Sequence, residues 1–223
     1  MEKNMSEVKL VALSKPSATT DCSTAAELIA YTARVSNPTN QSNKETAPRL
    51  LRYLMRENHW SPFEMVHMTL EIKTTRDIAR QILRHRSFSF QEFSQRYAVS
   101  ENIDVVREAR TQDEKNRQNS NVSDDKNLND EWWRSQARVR NFAKKEYTAA
   151  LKMGIAKEQA RALLPEGLTE TTLYMAGSLR SWIHYCDLRR ANGTQKEHMI
   201  VADQCWDVIG QHFPDIVQAL DEQ

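Results

Sequence analysis

The sequence is short of the residues that punctuate a chain. Among 223 residues there are five glycines and six prolines, too few for a sandwich of many short strands and tight turns, so a helix-rich fold is expected. Three cysteines, Cys22, Cys186 and Cys205, lie far apart and form no CxxC pair. That argues against a disulfide framework and against a zinc knuckle. Neither GxGxxG nor GxxxxGK[ST] occurs, so the usual dinucleotide and P-loop fingerprints are missing. An excess of one charge is missing too. Lys and Arg number 31 against 30 Asp and Glu, a net charge of +1, and that removes the bulk electrostatic case for coating nucleic acid. No apolar run approaches a membrane span, and the N-terminus lacks the charged, apolar, small-residue order of a signal peptide. A soluble, cytoplasmic protein of a reducing compartment is expected.

Hydrophobic periodicity supplies the elements. Residues 7–14 alternate Val8, Leu10 and Ala12 and read as a buried strand. A helix follows over 21–36, capped by Asp21 or Ser23, with Leu28, Ile29 and Tyr31 inward. A second helix opens at Pro48. In 65–73 Val66, Met68, Leu70 and Ile72 share one strand face, leaving His67 on the polar face. Thr75 then caps a helix carrying Ile78, Ile82 and Leu83, which the RHR run (84–86) closes.

Residues 102–130 are polar and read as a surface excursion within one 1–223 domain. A long amphipathic helix after it uses Trp133, Val139, Phe142 and Leu151 for packing. A strand near 167–177 leads to a helix capped by Ser178 that buries Leu179, Trp182, Ile183 and Cys186. A last helix runs through Met199, Ala202, Trp206 and Ile209. The layout predicts an α/β (α+β) fold, with more helix than strand around a central mixed sheet.

One stretch concentrates chemistry. RHRSFSFQEFSQRY (84–97) sets arginines, a carboxylate and serines among four aromatics, Phe88, Phe90, Phe93 and Tyr97. If it runs extended, Glu92, Ser94 and Arg96 line one side. A solvated basic edge is the bland reading, but the aromatics imply partial burial, and buried guanidinium groups need anions. Their rigid forks suit phosphate. A second basic set, Arg161, Arg180, His184 and Arg189, lies downstream, with Arg180 and His184 on one helix face; pairing of Arg190 with Asp187 is the surface alternative there. His59, Glu64 and His67 straddle a proline and a strand start, so no metal site is expected. A protein that binds RNA by stacking and phosphate contacts is the other class considered, and the near-neutral charge weighs against it.

The RHR run with Ser94 seven residues beyond it resembles the signature of flavin-dependent thymidylate synthases. ARVS (33–36), HWSPFE (59–64), ARALLP (160–165) and LRSWIHYCDLR (179–189) fall in that family's order. Met65, Ser178 and His184 stand where many relatives have His, Asn and Asn. The resemblance implies a family-specific fold and a homotetramer whose active sites are shared between subunits. It further implies non-covalent FAD, reduction by NADPH, and methylene transfer from 5,10-methylenetetrahydrofolate to dUMP. No nucleic-acid or membrane partner is expected. Ser36, His59, Ser61, Arg84, His85, Arg86, Glu92, Arg180 and His184 match flavin-contacting positions. Gln81, Glu92, Ser94, Gln95, Arg96, Arg161 and Arg189 match dUMP-contacting ones. Arg189, against the uracil edge, and Ser94 stand nearest the chemistry. For Ser94 a binding role is favoured over a nucleophilic one, since only Glu92 offers it a base.

Overall fold

A computed structural model describes residues 6–100 and 102–221; residues 1–5, 101 and 222–223 of the expected domain lie outside that description. In chain order the elements are β1 (Glu7–Leu13), α1 (Ala25–Ala33), α2 (Ala47–Arg56), β2 (His67–Thr75), α3 (Arg76–Ile82), β3 (Ser89–Glu92), β4 (Arg110–Gln112), β5 (Ser120–Val122), α4 (Lys126–Lys152), α5 (Lys157–Ala160), β6 (Glu170–Ser178), α6 (Leu179–Arg190), α7 (Lys196–His212) and α8 (Pro214–Asp221). Short 3₁₀ turns link several of them, including Ser61–Met65 ahead of β2.

The main sheet has the order β1-β2-β6-β3, and every pairing in it is antiparallel. The α/β class stands, but the mixed sheet does not. β2 and β3 run the same way, yet β6 lies between them, so no parallel pair is hydrogen-bonded. The centre is the β2–β6 ladder, paired from His67↔Ser178 to Thr75↔Glu170. Val66, Met68, Leu70 and Ile72 are buried as the alternation requires, and Leu173 and Met175 of β6 join them. His67 is exposed.

β1 is an edge strand rather than a buried one. Its register shifts between Leu10 and Ala12, and a bulge of this kind turns the following residues over. Val11 and Ala12 therefore face out while Leu13 packs inward. Thr24, not Asp21 or Ser23, caps α1: its side chain accepts the Glu27 N–H, and Glu27 returns a bond to the Ser23 N–H in a reciprocal cap. Thr75 stands at the N-cap of α3, with Ile78 and Ile82 fully buried. That helix stops at Ile82, so Leu83 and the RHR run follow in a turn, and Leu83 is exposed.

The long helix α4 presents the opposite face to the one expected. Gln136, Ala143, Tyr147 and Ala150 are its buried residues, whereas Trp133 is 55% exposed and Phe142 67%, with Val139 exposed beside them. Polar hydrogen bonds decide the orientation. The Gln136 amide accepts from the Arg107 N–H at 2.8 Å and donates to the Arg107 carbonyl at 2.9 Å. The Trp132 indole N–H also bonds the Arg107 carbonyl. A buried backbone segment satisfied by one amide outweighs the apolar stripe. Leu151 packs, as expected, against a second cluster of Ile103, Tyr147, Ala150, Ala160 and Leu164.

The polar stretch 102–130 is anchored at its near end. Ile103 and Val105 are buried. Arg107 pairs with Asp77 at 2.8 Å and Glu197 at 3.2 Å, and Arg110 also reaches Glu197. The exposed hairpin of β4 and β5 then leads to Asp125, which caps α4.

Gly177, in β6, is required by close approach. A Cβ there would lie 2.5 Å from the Phe88 ring, and that ring stands edge-on to Trp182 at 4.8 Å. Gly177→Ala is expected to push Phe88 and the turn before it off the sheet, costing about 1–3 kcal/mol. A urea midpoint unchanged from the parent chain would refute this.

Candidate active site

The β2–β6 ladder sets up the site by direction. α3 leaves one end of it after Thr75, and α6 leaves the other after Ser178. Both pack on the same sheet face, Ile82 and Trp182 sharing one core. Their C-terminal ends therefore approach each other, and His85 meets Arg189: the guanidinium Nε donates to His85 Nε2 at 2.9 Å. One member of each basic set, 104 residues apart in sequence, is thereby brought into contact.

Around that contact lies a polar network under aromatic cover. The His85 ring stands edge-on to Tyr185 at 4.9 Å. Tyr185 Oη lies 3.0 Å from His198 Nε2, and His198 Nδ1 lies 3.3 Å from Gln81 Oε1. Gln81 Nε2 donates to Gln195 Oε1 at 2.8 Å. Burial, then the charge of Arg189, lowers the His85 pKa to about 4. Burial, Arg189 and His85 lower His198 to about 3. Both rings are neutral at physiological pH, so Arg189 alone brings positive charge to this contact. His198 and Tyr185 were not among the residues singled out from sequence. A histidine three and four residues before Val201 and Ala202, on the buried stripe of α7, was the available signal.

A second group lies at the Ser178 end of the ladder. Arg180 forms an ion pair with Glu64, and the His184 ring stands edge-on to Trp60 at 4.7 Å. Burial, then the Arg180 charge, lowers the His184 pKa. His59 and Ser61 are exposed on the 3₁₀ segment's approach, His59 edge-on to Tyr53. Ser36 is exposed just beyond α1. Glu64, which fixes Arg180, belongs to the HWSPFE run but was not among the residues matched to flavin-contacting positions. Arg190, for its part, pairs with Asp203 at 2.9 Å rather than with Asp187.

A third group surrounds the turn after β3. The extended course assumed through Arg96 ends at Glu92, because Tyr97 N–H and Ala98 N–H bond back to the Ser94 carbonyl. Glu92 accepts from Thr171 Oγ1 at 2.9 Å and pairs with Arg76 at 3.2 Å. Ser94 Oγ accepts the Arg96 N–H. Gln95 turns inward and donates to Ser100. Arg96 and Arg161 converge on Glu158, the first on its carboxylate at 3.4 Å and the second on its carbonyl at 3.1 Å. Phe88 and Phe90 are half-buried, Phe93 and Tyr97 exposed.

The donor set fits an anionic, planar cofactor. Arg84 and Arg86 are exposed, and no carboxylate pairs with Arg84, Arg86, Arg161 or Arg189 among the described residues. Unpaired forks beside neutral imidazoles suit a pyrophosphate and an electron-rich ring. Two cavities lie behind this network, on the side of Gln195 and Glu197. One of about 740 Å³ is bounded by Val105, Arg107, Trp132, Trp133 and Lys196, and its neighbour lies under the β4–β5 hairpin. None of the residues matched to flavin-contacting or dUMP-contacting positions lines either. No three or more His, Cys, Asp or Glu side chains form a metal cluster among the described residues.

Fold and residues together define a mixed α/β protein in which an arginine of α6 and a histidine from the turn after α3 are gathered at one contact. The family described as thymidylate synthase complementing protein matches residues 18–215, and the chain belongs to the flavin-dependent thymidylate synthase family. It is 51% identical over 216 residues to a probable flavin-dependent thymidylate synthase of Paramecium bursaria Chlorella virus 1, covering 96% of this chain and 98% of that one. It is 49% identical over 219 residues to the flavin-dependent thymidylate synthase of Synechocystis sp., covering 96% and 99%. Among solved structures, the UMP/dUMP methylase PolB of Streptomyces cacaoi bound with 5-Br dUMP superposes with a TM-score of 0.82. That pair shares 28% identity, over 97% of this chain and 95% of the other.

The two lowered histidines make a test. An unfolded imidazole takes up its proton as pH falls through 6.5, while the folded rings refuse theirs until about 4 and about 3. Their contribution to stability is thus full above 6.5 and is lost progressively below it. Thermal midpoints should fall between those limits, and His198→Asn should flatten the fall. An identical pH profile for the variant would refute the assignment.

Proposed function

We propose that this chain is a flavin-dependent thymidylate synthase that methylates dUMP reductively to dTMP. The carbon comes from 5,10-methylenetetrahydrofolate, the reducing equivalents from NADPH by way of FAD, and tetrahydrofolate leaves. The observation that carries the reading is the 2.9 Å contact of Arg189 with His85. It joins the RHR run to the α6 arginine in a chain whose relatives carry that name. The PolB structure, bound with 5-Br dUMP, supports a pyrimidine nucleotide as the ligand.

FAD, when bound, supplies the hydride and the one-carbon relay. Arg84, His85, Arg86, Arg180 and His184 hold it, with Ser36, His59, Ser61 and Glu92 around them. Glu64 keeps Arg180 in place. Arg96 and Arg161, already drawn together at Glu158, take the dUMP phosphate. Arg189 lies along the uracil edge. Its Nε is spent on His85, so its terminal N–H groups face the pyrimidine and stabilise the negative charge that develops as C5 becomes nucleophilic. Ser94 and Gln95 shape the nucleotide turn. Ser94 has no base beside it, since Glu92 is occupied by Thr171 and Arg76, and this favours binding over nucleophilic attack.

The active unit is a homotetramer with sites shared between subunits. The exposed stripe of Trp133, Val139 and Phe142 on α4 supports that reading. No helix among the described residues is long and apolar enough to cross a membrane. The free thiols of Cys22, Cys186 and Cys205 support a cytoplasmic setting.

Purified protein should be yellow after FAD addition, be bleached by NADPH, and release tritium from 5-tritiated dUMP when folate is supplied. Colourless protein that retards RNA on a gel would overturn the reading. Ser94→Ala should retain measurable dTMP formation, and its complete loss with dUMP and FAD binding intact would return Ser94 to the chemistry. Arg189→Ala should lower kcat/KM for dUMP by about a hundredfold or more.

A further inference from the structure

The hydrogen bonds behind Gln81 have only one consistent polarity, and it is set at Glu197. That carboxylate is buried and held by Arg107 and Arg110. Burial pushes its pKa up, but the Arg110 hydrogen bond and the Arg107 charge bring it below the ordinary value. An ionised carboxylate only accepts, so Gln195 must turn its NH₂ toward Glu197, at 2.9 Å. Its oxygen then faces Gln81 and accepts from Gln81 Nε2 at 2.8 Å. The Gln81 oxygen is thereby turned to His198 Nδ1, at 3.3 Å, and that nitrogen has to carry the proton. His198 Nε2 is left as a lone pair and accepts the Tyr185 hydroxyl at 3.0 Å.

We propose that His198 and Gln195 are positioning residues that fix the direction of the Gln81 amide, so that it offers an N–H to the nucleotide. His198 takes one lone pair of the amide oxygen and Gln195 one of the amide N–H groups, so the second N–H is the donor left for an acceptor oxygen of the bound nucleotide. The inference rests on the reading that Gln81 lies in the dUMP site. A reversed amide would present an oxygen and repel the same atom. The sequence alone offers an amide without a direction; the ion pairs of Glu197 give it one.

The direct test is ¹⁵N NMR of histidine-labelled, FAD-loaded enzyme. His198 should appear as the Nδ1–H tautomer, and the Nε2–H tautomer would overturn the proposal. Calorimetric titration with dUMP supplies the second arm. His198→Leu should weaken dUMP binding about tenfold, with kcat at saturating dUMP within about twofold. His198→Asn can place an amide N–H where Nδ1–H stood, and should recover affinity to within about threefold. In a Gln81→Leu background His198→Leu should add nothing. Equal weakening by Leu and Asn, or an undiminished effect in the Gln81→Leu background, would overturn the proposal. If His198→Leu does not fold, Tyr185→Phe removes only the hydroxyl and should give a smaller loss of the same kind, its absence counting against the chain. An unchanged affinity in Gln81→Leu, with Arg189→Ala still losing dUMP, would sink this inference and leave the proposed function standing. Retention of dUMP binding by both would sink the function as well.

Discussion

The antiparallel ladder between β2 and β6 is the constraint on which the rest depends. Its nine pairs, from His67↔Ser178 to Thr75↔Glu170, send α3 and α6 off opposite ends of the same sheet face. Two helices launched in that way must bring their C-terminal ends together. Those ends carry the negative poles of the helix dipoles, with Arg84 and Arg86 just beyond the one and Arg189 in the last turn of the other. Each pole offsets part of the repulsion that gathering cationic groups would cause. The basic site is thus as much a product of strand register as of the arginines themselves.

Burial acts on the imidazoles in the other direction. Burial beside Tyr185 strips His85 and His198 of their protons, so positive charge at their contact comes from Arg189. Neutral rings can accept a hydrogen bond, and His85 uses that capacity to aim a guanidinium. Protonated rings would push Arg189 away. Charge and direction at the site are therefore separate assignments, the first given to arginine and the second to histidine and glutamine.

Much of this was legible in the residues. The period-two run of Val66, Met68, Leu70 and Ile72 announced the central strand, and Leu179, Trp182, Ile183 and Cys186 announced α6 with its Ser178 cap. The RHR run and the later arginines stood out by type. What remained hidden was contact between distant segments. No local pattern says that Gln136 would be buried to serve the backbone of Arg107, so the inward face of α4 was misjudged. Nor does alternation reveal that the chain turns at Ser94, where backbone hydrogen bonds close a turn. Glu197 looks like a helix-surface residue until Arg107 and Arg110 arrive from elsewhere.

The orientation of α4 carries a practical consequence. At 27 residues it is about 40 Å long, and its indole and phenyl groups sit on the side turned away from the chain's own interior. Exchanging Trp133 or Phe142 for a charged residue subtracts nothing from the packed centre. Polypeptides altered in this way keep the protomer's architecture and isolate whatever that outer stripe contributes, which no substitution on the Tyr147 side of the helix can do.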